Sequence, residues 1–388
     1  MKQLIKNECR RWFTRKKICA FLCLMGCCVL FYEFYYHQSY LSYYEKEYVN
    51  LKNEYTDVSS VMRIYGMNMK IDDSEDLKIA YDIYDKEYQL LAKEMNLWNN
   101  NTDGRFDEEL LSLEKQRDEN LLRLEENRIE PMNMQIYRNT PEDLNNRIKL
   151  RESYEQQHIK EKVVKNVPDV NYVLYKIFSG SDATIFLILF ILCIVNFNIW
   201  SSEFENQTYR LAFIQPYQRK SIYISKLLVQ IIMSLGLFFL MIVTLATCAY
   251  IQYGVGEPII VAVNQTMLHG VQTSADQVFT YVTTSSLLIK FLLRQILYIS
   301  ILEIVIHTVS FFAKKTELSL LVIFTLLIAM VFAGLSEHAN LINIYQLEKL
   351  YSETQYVSQL STFGMLALIG ILCFFINYLY LVYCDLKG

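Results

Sequence analysis

Apolar residues gather in six long runs, near positions 18–36, 182–200, 223–251, 285–312, 318–334 and 362–383. Crossing a hydrocarbon core of about 30 Å takes roughly 20 predominantly apolar residues of helix. Surface helices of soluble domains keep a polar face, and these runs do not. The pattern predicts an all-α, polytopic membrane protein with six transmembrane helices.

The stretch 37–181 has a different rhythm. Leu41, Tyr44, Tyr48, Leu51, Tyr55, Val58, Met62 and Tyr65 recur at spacings of three and four. That is a heptad seam, about 36 Å long at 1.5 Å per residue. Leu77, Tyr81, Tyr84, Tyr88, Leu91, Met95 and Trp98 form a second seam, and Phe106, Leu110, Leu113, Leu121 and Leu124 a third, interrupted by Arg117. Thr140-Pro141-Glu142-Asp143 then carries a helix-start signature, a capping Thr followed by Pro at the first position. An elongated helical or coiled-coil domain, built as a hairpin or small bundle, is expected here. Asn99 to Phe106 has the alternating oxygens and glycine of part of a calcium loop. Its first position is Asn99 and its twelfth Leu110, not Asp and Glu, so an interhelical turn is the expected reading and no metal is assigned.

Residues 1–17 precede the first run. Leu4, Ile5, Cys9, Trp12 and Phe13 fall at helical spacing with Lys2, Lys6, Arg10 and Arg11 elsewhere, as in an amphipathic helix lying in a membrane interface. Basic residues before an apolar run also open a signal peptide, and Leu24-Met25-Gly26-Cys27 is similar to a lipoprotein cleavage box. The run continues past Cys27 to Tyr35, which favours an uncut span. Tyr32, Phe34, Tyr35, Tyr36, Tyr40, Tyr43 and Tyr44 then suit an outer aromatic belt.

Charge orients the spans. Lys and Arg cluster before the first run, between the second and third (Arg210, Arg219, Lys220) and between the fourth and fifth (Lys314, Lys315). The positive-inside rule places these segments, and both termini, in the cytoplasm. The segment 37–181 is then extracellular. Between 37 and 180 there are 20 Lys/Arg and 28 Asp/Glu, a balance of −8 against −4 for the chain and hence +4 elsewhere. None of the nine cysteines falls in this segment, so it has no disulfide framework. The domain order is therefore an elbow helix at 1–17, a first span at 18–36, the external domain at 37–181, spans two to six over 182–383 and a cytoplasmic tail at 384–388. Outer loops are expected at 252–284 and 335–361.

The connection 201–228, SSEFENQTYRLAFIQPYQRKSIYISKLL, is charged yet pinned between two spans. Its ordered set Glu203, Glu205, Thr208 and Arg210, then Pro216, Arg219 and Lys226-Leu227-Leu228, resembles the coupling region of type-2 ATP-binding-cassette exporter permeases. Gln207 stands where that family usually has glycine, a residue suited to a tight turn. The resemblance also covers the N-terminal elbow and the six spans, but not the domain at 37–181. It implies a bacterial permease that forms a translocation path with a second permease copy, as a homo- or heterodimer, and receives motion from separate ATPase subunits through residues 201–222. Glu203 and Glu205 would sit on the first turn of a short coupling helix, Arg210 and Arg219 would meet ATPase carboxylates or lipid phosphates, and Pro216 would end the helix. Arg219, Lys220 and Lys226 serve equally as membrane anchors.

The chain has no Gly-x-x-x-x-Gly-Lys-Ser/Thr loop, no His-Glu-x-x-His and no Gly-x-Ser-x-Gly, and its five histidines are scattered. No cofactor and no catalytic residue is expected in this chain; ATP and magnesium would belong to the partner. No nucleic acid is implied. Glu303 and His307, four apart inside the fourth run, share a helix face. They read either as a polar element of the translocation path or as an interhelical bond that fixes packing. Relatives export antimicrobial peptides, drugs or lipids, and the acidic outer domain favours cationic peptides. The competing reading is a non-transport membrane scaffold or receptor with a coiled-coil ectodomain, of the secretion-machinery or phage-receptor type.

Overall fold

A computed structural model describes residues 2–13, 15–72, 74–101, 106–129, 141–164, 167–179, 184–210, 217–264, 279–332 and 359–383. Pro216, Thr140, residues 102–105 of the calcium-loop-like turn, residues 335–358 of the outer loop and the tail 384–388 lie outside them. Two compact units emerge, one of Met1–Tyr32, Asp169–Gly256 and Ala262–Gly388, the other of Glu33–Pro168 with Glu257–Val261.

The second unit is a bundle. Its helices are α3 (Gln38–Asn68), α4 (Glu75–Asn100), α5 (Asp107–Glu126) and α6 (Pro141–Gln156). The seams meet in one core: Leu51, Val58 and Tyr65 face Ile83, Tyr84, Leu91 and Trp98, with Leu110, Leu121 and Leu124 from α5. Tyr65 stacks on Tyr84 with ring centroids 5.3 Å apart, and Tyr55 on Tyr88 at 4.6 Å. Leu41, at the start of the first seam, remains 46% exposed. Asn101 bridges the α4–α5 turn, donating to Asp107 Oδ1 at 2.7 Å and accepting the Phe106 amide at 3.2 Å.

Arg117, the residue that breaks the third seam, points into this core. Its guanidinium meets Glu54 at 2.6 Å, Glu87 at 2.8 Å and Glu94 at 2.7 Å, joining three helices through one cation. Burial pushes the Glu94 carboxyl up to about 7 despite the attraction of Arg117, and pushes Glu87 up as well. Three carboxylates around one cation in a nearly dry site cannot all ionise cheaply. A second cluster fastens α6, where Arg151 and Arg147 both bond Asp118 and Arg151 reaches Glu114 at 3.0 Å.

The first unit holds α1 (Lys2–Trp12), α2 (Arg15–Phe31), α7 (Val170–Ser179), α8 (Thr184–Asn196), α9 (Ser201–Glu205), α10 (Arg219–Tyr253), α11 (Thr284–Ala313), α12 (Thr316–Phe332) and α13 (Gln359–Tyr383). Among the described residues, four helical stretches are long and apolar enough to cross a membrane: Ile18–Asn68, Leu187–Glu205, Arg219–Tyr253 and Thr284–Ala313. Thr316–Leu326 and Ala367–Leu381 are shorter apolar helices. The first of these stretches turns π-helical at Tyr32–His37, where the two compact units divide.

Residues 170–179, left by hydropathy in the 37–181 segment, pack as α7 against α10 and α11. Val173, Tyr175 and Ile177 are buried there, and Gln295 of α11 donates to the Phe178 carbonyl at 2.9 Å. Lys176 and the polar residues before it had masked this short apolar face. The return from α10 locks the start of α7: Val170 and Asn171 amides bond the carbonyls of Gly254 and Val255. Gly256 sits at φ +71°, and a Cβ there would collide with the Asp169 carboxylate. The loop after α10 also contains a two-stranded sheet of β1 (Ile260–Asn264) and β2 (Phe279–Thr283), rich in β-branched and aromatic residues.

Candidate functional site

The site begins where α8 runs out. Trp200 is fully buried, and its amide and that of Ser201 donate to Ser310 Oγ of α11 at 2.9 and 3.1 Å. A helix start carries amide groups with no partner of its own, and here a hydroxyl from another helix supplies one. This fixes α9, a single turn that holds both acidic residues of the motif.

Each acid has an internal task. Glu203 Oε1 accepts from Arg11 Nη1 of α1 at 2.7 Å, and its other oxygen is ion-paired with the buried Lys226 ammonium of α10. Lys226 also lies 4.2 Å from the centroid of the Trp200 ring, so a carboxylate and an aromatic face together replace its water. Glu205 Oε2 accepts from the Thr316 hydroxyl at 2.5 Å and from the Thr316 amide at 3.3 Å. A carboxylate at the N-terminus of α12 is favoured by the helix dipole as well. The five residues of α9 thus tie together α1, α10, α11 and α12. An apolar cluster of Leu4, Trp200, Ile222, Tyr223, Leu227 and Phe311 packs beneath them.

Gln207 closes the turn. It sits at φ +56°, the left-handed region in which glycine is favoured, and its amide bonds the Phe204 carbonyl at 3.2 Å. The chain therefore makes the tight turn with a residue that has a Cβ. Around it Asn206, Gln207, Thr208 and Arg210 are exposed, as are Arg219 and Lys220 at the start of α10, while Tyr209 is buried. The Arg210 guanidinium lies 5.9 Å from the Tyr209 ring centroid.

Deeper in the same unit runs a chain of hydrogen bonds. Trp200 Nε1 donates to His307 Nε2 at 2.6 Å, which leaves the imidazole proton on Nδ1. His307 Nδ1 then donates to Gln230 Oε1 at 2.6 Å. That contact orients the amide so that Gln230 Nε2 donates to Glu303 Oε2, also at 2.6 Å. Asn196 Nδ2 donates to the other oxygen, Oε1, at 2.9 Å and reaches Ser234 Oγ at 2.8 Å. Glu303 and His307 are both fully buried, and Gln230 stands between them.

Of the residues singled out by sequence, the structure joins Glu203 and Glu205 to α9, places Thr208, Arg210 and Arg219 on the exposed edge, and puts Glu303 with His307 in one buried network. Sequence reasoning gave Arg11 only to the basic face of the elbow helix, and passed over Trp200, Gln230, Asn196 and Ser310. Asn196 and Gln230 carried a readable signal, since amide side chains inside apolar runs seek partners across helices.

Apolar helices of spanning length, a buried polar chain between them and a capped, charged connection define a polytopic helical membrane protein. The chain belongs to the family described as ABC-2 family transporter protein, whose model matches residues 3–378. It is thus a membrane permease component of an ABC transporter. No curated protein and no solved structure gives a match to the chain.

Proposed function

We propose that this chain is the permease subunit of an ATP-driven exporter in a bacterial cell membrane. Two copies enclose the path, and separate cytoplasmic ATPase subunits hold the ATP and magnesium. The observation that carries this reading is the fastening of α9 to four helices at once, through Glu203, Glu205 and the Trp200–Ser310 contacts. A force applied to the exposed edge at 206–210 acts on all four together. In this reading both termini are cytoplasmic and the bundle at 37–168 stands outside. Its acidic balance favours cationic cargo such as an antimicrobial peptide over a drug or lipid.

The test is copurification of an ATPase with the tagged chain from its own cells. Thr208→Asp with Arg210→Glu is expected to abolish the association while the permease itself stays folded. Absence of any ATPase on the unaltered chain would turn the assignment toward a membrane scaffold or receptor.

A further inference from the structure

Glu303 is a fully buried acid held in a network of neutral side chains. Its two oxygens each face an amide N–H, from Asn196 and Gln230, and the Ser234 hydroxyl is a third neighbour. This orientation is not adjustable. Trp200 fixes the tautomer of His307, His307 fixes which end of Gln230 faces it, and the remaining end is the donor turned to Glu303. Flipping the Gln230 amide would set an N–H against the His307 N–H and a carbonyl against the carboxylate, losing two bonds.

Every described partner of Glu303 is neutral. The nearest described cation along the chain of contacts is Lys226, and it is committed to Glu203 and the Trp200 ring. Arg11 shares Glu203 and Glu8, so those two acids and two bases already balance. Beside Glu303, Asn196 Oδ1 is a fully buried acceptor that receives no hydrogen bond. An amide oxygen lies next to its own nitrogen, which itself touches Glu303 Oε1. Two acceptor groups are therefore side by side in an apolar bundle without a positive charge between them. Such a surplus of acceptors calls for a positive charge, supplied by a proton on Glu303 or by a bound cation.

We propose that Glu303, with Asn196 Oδ1 and Ser234, is a cation-binding site of the translocation path. The ligand class is a monovalent positive charge, either an alkali ion or the ammonium or guanidinium of a cationic cargo. The site is closed in this structure and is filled when the helices part. The inference rests on the permease reading for its direction of use, not for the chemistry of the site.

Dicyclohexylcarbodiimide provides the test. It adds to a carboxyl group and rearranges to an N-acylurea without loss of a leaving group, so peptide mass identifies the modified residue. The full chain in nanodiscs is treated at fixed pH, with tetraethylammonium holding ionic strength constant. Sodium, potassium, methylammonium and guanidinium are then added in turn, and Glu303→Gln identifies the peptide. The expected result is saturable slowing of Glu303 modification, about tenfold at ten times the dissociation constant, with carboxyls of the 37–168 bundle unaffected. Slowing by alkali ions assigns an ion site; slowing by methylammonium or guanidinium alone assigns the basic group of a cargo. Equal modification in every salt, or no modification of Glu303 in any, would overturn the proposal. Neither result bears on whether an ATPase copurifies, so the two readings fail separately.

Discussion

Glu203 of α9 meets Arg11 of α1 at 2.7 Å across 192 positions of sequence, and the same carboxylate neutralises Lys226. The two pairs differ in depth. Arg11 is 56% exposed whereas Lys226 is 2% exposed. Arg11→Ala is expected to cost under about 1 kcal/mol because water screens an exposed base. Glu203→Gln strands a buried ammonium and is expected to cost about 3–5 kcal/mol. Thermal unfolding of the purified chain in detergent reads both, and equal shifts would refute the assignment of Lys226 as the principal partner.

Gln207 holds a left-handed backbone with a side chain attached. Gln207→Gly is expected to stabilise the turn by about 0.5–1 kcal/mol, since only the strain is removed. Gln207→Val is expected to destabilise it by more, because a branched Cβ crowds the left-handed region. A small rise in midpoint for glycine and a fall for valine would be the signature.

Gly256 combines a positive φ with the Asp169 carboxylate in the space a Cβ would need. Gly256→Ala is expected to loosen the joint that anchors α7, and Gly256→Ala with Asp169→Gly to recover part of the loss. Hydrogen exchange of peptides covering 167–179 checks this: the single variant should exchange faster than the unaltered chain, with the double variant between them.

The Glu94 carboxyl, pushed up to about 7 by burial, sets a pH dependence for the bundle. Its folded value lies above its ordinary 4.5, so between those limits the folded state holds more proton than the unfolded one. Stability therefore falls as pH rises from 4.5 to 7, by on the order of 3 kcal/mol if the full shift is expressed. Glu94→Gln keeps a neutral side chain beside Arg117 and should flatten this slope. Hydrogen-exchange protection in peptides spanning 75–126 of the full chain, corrected for the intrinsic rate, measures it. A slope unchanged in Glu94→Gln would assign the titration elsewhere.

Ser310 serves two buried amides, those of Trp200 and Ser201. Ser310→Ala is expected to cost about 1–3 kcal/mol for each donor left without a partner. Ser286→Ala, at an exposed hydroxyl that donates to the nearby Thr283 carbonyl, is the neutral comparison. Parallel thermal midpoints of these two variants decide the matter.

The helical, membrane-spanning class and the seams of the 37–168 bundle were legible because they depend on periodicity, which is a property of neighbouring residues. The seams named Tyr65, Tyr84, Leu91 and Leu121 correctly as core. Arg117 read as a flaw in the third seam because its three carboxylate partners lie 23 to 63 residues away. The 201–228 motif was visible as an ordered set of charges, while the partners of those charges were not. Glu205 caps a helix that starts 111 residues later, and no local pattern announces that.

Hydropathy and spacing, acting over tens of residues, were enough to determine a predominantly helical protein that crosses a membrane and carries a helical bundle. The resemblance of 201–228 to type-2 permeases also marked the glycine position that Gln207 occupies. Tertiary structure alone decided which partners the acids meet. Burial removes water from Glu203, Lys226 and Glu303, and only folding brings in the side chains that replace it.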